Sequence, residues 1–70
     1  MDSSRIDVTY DGPLWKVSVE QERVVRSRHE TQASAVDTAK GLANQLGAVL
    51  VVHDLDGNVF SSESFGRGLL

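Results

Sequence analysis

From Trp15 to Glu20 apolar and polar residues alternate, with Trp15, Val17 and Val19 separated by Lys16, Ser18 and Glu20. A period of two sends successive side chains to opposite faces of a pleated ribbon, so this segment predicts a half-buried strand. Asp11-Gly12-Pro13 ahead of it is a turn signal, because proline can open a strand but not sit centrally in one. Gln21-Glu22-Arg23 is a short polar link that reads as a hairpin loop. Val24–His29 then reads as a second strand, with Val25, Ser27 and His29 on one face and Val24, Arg26 and Arg28 on the other.

At Thr31 the period changes. Val36, Ala39, Leu42, Ala43 and Leu46 fall three or four apart with Ala35 beside them, the spacing of one helix face. Thr31 can cap the start by accepting an orphan amide, and Gly47 stands where a left-handed residue ends many helices. Gly41, inside the helix, costs about 1 kcal/mol relative to Ala and is read as a point of close approach. Beyond it, Ala48–Val52 is a continuous apolar run of strand length that needs cover on both faces. Asp56-Gly57 is a hairpin-turn signal, Val59-Phe60 opens another strand, and Ser61–Phe65 is expected to fade into a loop.

These pieces predict an α+β fold: one ββαββ domain spanning residues 1–70, ordered from about 5 to 66 with loose ends. Short turns make sequential strands antiparallel. A four-stranded, mainly antiparallel sheet of order 2-1-3-4, with the helix packed on one face, makes every neighbour antiparallel. Trp15, Val17, Leu50, Val52 and Val59 are expected to face the helix.

Length sharpens this picture. A chain of 70 residues buries only about 60% of the surface its unfolded form exposes, and chains this short are commonly stapled by disulfides, metal or a partner. Cysteine is absent, which leaves oligomerisation as the expected staple. Met1–Asp11 alternates polar and apolar residues rather than showing the basic-then-apolar layout of a leader, and no apolar run approaches a membrane span. A cytoplasmic protein without membrane contact is expected. The net charge of −3 argues against a strong non-specific nucleic-acid binder but leaves room for a local basic strip.

Candidate chemistry is sparse, and neither an enzyme nor a cofactor is expected. His53 and Asp54 are neighbours on a strand and so point to opposite faces. No serine sits on a glycine-flanked elbow. His29 and His53 lack the helical spacing of a zinc pair, and no thiol is available to help. In Asp54-Leu55-Asp56-Gly57 the glycine comes fourth, where a calcium loop needs it sixth. Gly66-Arg67-Gly68 leads into no helix and offers no phosphate cradle. Catalytic residues, metal ligands and cofactors are all expected to be absent.

The sheet face opposite the helix holds more. Its expected outward set is Lys16, Ser18, Arg26, Arg28, Val49, Val51, His53 and Phe60. The preferred reading is a homodimer or protein interface through Val49, Val51, His53 and Phe60, since exposed apolar patches mark interfaces. The alternative is nucleic acid across the sheet, with Lys16, Arg26 and Arg28 on phosphates and Phe60 or His53 stacking on bases. Net acidity and the few exposed aromatic residues place it second. An inhibitor of a host protein fits the size and acidity, but no residue pattern points to it.

Trp15-Lys16-Val17, Thr31-Gln32 opening an alanine-rich helix, Gly47 ending it, His53 before Asp56-Gly57, and Ser64-Phe65-Gly66 occur in that order. In this the chain resembles a small bacterial family, domain of unknown function 2188, from Trp15 to Gly66. The resemblance implies a fold and a bacterial or phage origin, and no mechanism. Ser34 stands where members often carry an acidic residue, and Phe60 where they tend to be polar. Trp15–Leu46 is more loosely similar to the N-terminal DNA-binding domains of phage-type integrases, through a Trp-containing strand, a basic strand and a Thr-capped helix. The expected function is therefore a non-enzymatic binding or regulatory module, acting as a homodimer on an unidentified protein partner.

Overall fold

A computed structural model describes residues 4–22 and 24–65. The order of elements is β1 (Arg5–Asp11), β2 (Leu14–Val19), β3 (Val25–His29), α1 (Gln32–Leu46), β4 (Val49–His53) and β5 (Val59–Ser64). The strands form one five-stranded sheet in the order β3-β2-β1-β4-β5.

The fold therefore corrects the expected four-stranded sheet. Arg5–Asp11 is a strand, and it occupies the centre of the sheet. Its alternation of Ile6 and Val8 with Arg5, Asp7 and Thr9 is that of β2, and Ile6 and Val8 are fully buried. Inserting β1 between β2 and β4 preserves the directions expected for the other strands. β3 is antiparallel to β2, and β2 to β1. The helix returns the chain so that β4 runs with β3, which makes β1 and β4 parallel neighbours. β5 opens at Val59 as expected and stays strand through Ser64, so the expected fade into a loop comes only at the end of Ser61–Phe65. The expected loose ends lie largely outside the described residues, as does Arg23 of the expected hairpin loop.

The helix begins and ends as its sequence predicts. Thr31 has extended backbone angles and its side chain accepts from the Ser34 amide at 3.1 Å. Gly47 takes φ 63°, and the Ala48 amide reaches back to the Ala43 carbonyl at 2.9 Å. That left-handed turn satisfies the last carbonyls without Cβ strain. Ala35, Ala39 and Ala43 form the buried line of the helix, with Val36 and Leu42 partly buried beside it. Small residues there let the helix lie close on Ile6, Val8, Val17 and Leu50. Each such side chain contributes roughly 1.5–3 kcal/mol when removed from water. Leu46, expected in the stripe, is 45% exposed. Gly41 faces open space, because a Cβ there would meet nothing within 4 Å.

At the β1–β2 turn, which contains a cis Gly12–Pro13 peptide, the Tyr10 ring lies over Gly12. A Cβ on Gly12 would stand 3.1 Å from that ring. Tyr10 also packs on Trp15, with centroids 5.1 Å apart.

The helix packs on β1, β2, β3 and β4 and does not reach β5. No helix among the described residues is long and apolar enough to cross a membrane.

Candidate functional site: the open sheet face and the β5 edge

On the face opposite the helix, the strand registers place Asp7 beside Val51 and Ser18, and Thr9 beside Lys16. Asp7 Oδ1 accepts from Arg5 Nε at 3.0 Å and lies 3.5 Å from His53 Nε2. That hydrogen bond, followed by the attraction of the Asp7 charge, raises the Arg5 pKa. His53 Nδ1 sits 3.3 Å from the Gly57 carbonyl. Val51 lies among these polar neighbours and is only 8% exposed within a single chain. The apolar strip expected on this face is therefore already covered by its own surroundings, and Val49 beside it is half-buried.

Two bulges move residues that simple alternation places with this strip. Pairing of β2 with β3 shifts between Val17 and Ser18, where Val25 rather than Arg26 opposes Ser18. Arg26 borders a groove with Thr38, Leu42 and Gln45 of the helix. It donates to both carboxylate oxygens of Glu22, at 2.9 and 3.1 Å. The bond from Arg26 also holds the Glu22 carboxyl below its usual pKa. Arg26 is thus removed from the expected basic trio, and Lys16 and Arg28 remain as directly opposed partners.

The second bulge lies in the β4–β5 hairpin. Val52 pairs with Ser61, but His53 pairs with Val59, so Phe60 is the extra residue. Phe60 borders a groove with Trp15, Gln32, Asp54 and Leu55, away from Val49 and Val51. Val59, expected against the helix, pairs with His53 instead and is 62% exposed. Phe60 and Leu55 are each 66% exposed. The loop between these strands is organised by Asp54, whose Oδ1 accepts the amides of Asp56 and Asn58 at 2.9 and 3.0 Å. Gly57 there takes φ 88°, a conformation glycine adopts without strain.

His29 bridges β3 and the helix. Nε2 lies 2.8 Å from Ser27 Oγ and Nδ1 lies 3.0 Å from Ser34 Oγ. Among the described residues, no group of three or more His, Cys, Asp or Glu residues is placed to hold a metal ion.

The sequence family described as "Uncharacterized protein conserved in bacteria (DUF2188)" matches residues 6–65. The chain belongs to this family. No curated protein and no solved structure matches it.

In this DUF2188 domain, the residues that carry the resemblance have structural duties. Trp15 is buried, Thr31 caps the helix, Gly47 ends it and Gly57 turns the hairpin. Ser64 and Phe65 close β5 against β4, with the Phe65 amide bonded to the Ala48 carbonyl at 2.9 Å. Family membership thus describes the scaffold. Two surfaces carry exposed features beyond it: the open face around Lys16 and Arg28, and the strand β5. That β5 continues as an exposed strand through Ser64 is not legible in the sequence. Its signal, four polar residues in a row after Phe60, reads equally well as a loop.

Proposed function

We propose that this domain is a non-enzymatic binding module that acts as a homodimer, joined along the edge of β5 rather than through the open sheet face. The observation that carries this reading is that all six residues of β5 are exposed and the helix stops short of it. An edge strand bare on both faces is a template for pairing with another strand. Val51, one of the residues expected at an open-face interface, has little surface left to bury.

The geometry of pairing follows from the ladder. The Phe65 amide donates to Ala48, and bonded and non-bonded pairs alternate in antiparallel strands. With the register Leu50 to Glu63 and Val52 to Ser61, the backbone groups of Ser61 and Glu63 point to β4 and those of Ser62 point outward. A second copy running antiparallel meets Ser62 there, and its approach covers Phe60 and Val59. Each side chain buried contributes roughly 1.5–3 kcal/mol, before the cost of association is subtracted.

Ser62→Pro tests this. Proline deletes the outward amide and breaks no bond to β4, so the variant should fold like the parent and sediment as a monomer. The parent should sediment as a dimer at high micromolar concentration. A monomeric parent, or a folded Ser62→Pro variant that remains dimeric, would contradict the reading.

A further inference from the structure

We infer that Lys16, Arg28 and Thr9 form a site for a phosphate group on the sheet face opposite the helix. Lys16 stands directly across from Arg28 in the β2–β3 ladder, and Thr9 stands across from Lys16 in the β1–β2 ladder. The three occupy one row over three adjacent strands, which spans about 10 Å at the usual strand spacing.

Two independent features of this row point to an anion. Like charges directly opposed across a sheet destabilise it, and this pair is not neutralised. The ion pairs among the described residues are Arg5–Asp7, Arg26–Glu22 and His53–Asp7, and neither Lys16 nor Arg28 takes part in one. Of the carboxylates on this face, Asp7 is held by Arg5 and faces His53. The second feature is Thr9, whose Oγ1 is shielded from solvent and has no hydrogen-bond partner among the described residues. Buried hydroxyls ordinarily have one. A tetrahedral oxyanion over the row, with the side chains that shield Thr9 Oγ1 moved aside, accepts from the ammonium, the guanidinium and the hydroxyl together. It offsets the repulsion and supplies the missing partner.

Phe60, Trp15 and Tyr10 lie elsewhere, the first in the hairpin groove and the others on the helix side. Bases therefore have no large aromatic platform here, and recognition is of the phosphate alone. The group can belong to the backbone of a single-stranded nucleic acid or to a small phosphorylated ligand. This inference is independent of the dimer.

The test is titration of sodium phosphate into the full chain, with sodium chloride adjusted to hold ionic strength constant, followed by NMR and by melting temperature. The expected result is a saturable shift centred on Thr9, Lys16 and Arg28, with a rise in melting temperature. Lys16→Gln and Arg28→Gln should each weaken binding about tenfold or more, and each should raise the melting temperature of the free protein by removing the repulsion. Thr9→Val should weaken binding severalfold. Arg26→Gln should change nothing, because Arg26 belongs to Glu22. A short thymidine oligonucleotide forms the second arm. Salt-sensitive binding that phosphate competes away assigns the site to a polymer backbone, and a response to phosphate alone assigns it to a small ligand. No saturable shift, or a shift that chloride reproduces at equal ionic strength, overturns the site.

Discussion

At one edge of the sheet, β3 carries Arg26 and Arg28, breaks its register with β2 at a bulge, and has the helix packed along it. At the other edge, β5 pairs regularly with β4 from Ser61 to Ser64, carries one charge at Glu63, and has no helix over either face. Charges, bulges and covering elements are the means by which proteins keep an edge strand from pairing with another chain. β3 has all three. β5 has its bulge only at the hairpin end, where it turns Phe60 toward the groove with Trp15 and Gln32 rather than blunting the edge. The contrast locates stability and association in different parts of one small molecule: β1 to β4 with the helix form the core, and β5 is left for contact.

The sharpest way to break that division is to place the same charge on each side of it. Ala39 is fully buried at the middle of the helix face. Ala39→Asp puts an unpaired carboxylate there, at a cost of several kcal/mol, comparable with the roughly 5 kcal/mol of total stability expected at this size. Chemical denaturation followed by circular dichroism should show no cooperative transition. Ser61→Asp, on exposed β5, should change stability by no more than about 0.5 kcal/mol. Equal losses would mean that β5 belongs to the core.

A smaller effect of opposite sign sharpens the same line. Gly41→Ala adds a methyl group into open space on the exposed side of the helix. It should raise stability by about 0.5–1 kcal/mol, because glycine loses more backbone freedom on entering a helix. The dimer constant should not move. A loss of stability would show that Gly41 admits something close after all.

Much of this fold was legible in the sequence because its signals are local. Thr31 and Gly47 act through their own backbone, and the alternation around Trp15 and Val17 survives any strand order. β1 was not recognised, although Ile6 and Val8 alternate as cleanly as Val17 and Val19, since nothing local says that Arg5–Asp11 finds partners in both β2 and β4. The outward face failed at Arg26 and Phe60 for one reason. A bulge inserts one residue and reverses every side chain after it, and neither bulge has a sequence mark. Alternation places Val51 on the open face, where it lies, but its cover comes from Asp7 and Ser62 on neighbouring strands, which are contacts of long range.

Amide hydrogen exchange at Ser62 tests the central claim most directly. Its N–H points away from β4, so it has no strand partner among the described residues of a single chain, whereas an edge-to-edge dimer gives it one. Ser62 should therefore be protected from exchange at high protein concentration and lose that protection on dilution, while Glu63, bonded to β4, stays protected throughout. Exchange at Ser62 as fast as at the exposed Leu55 at every concentration would contradict the β5 dimer.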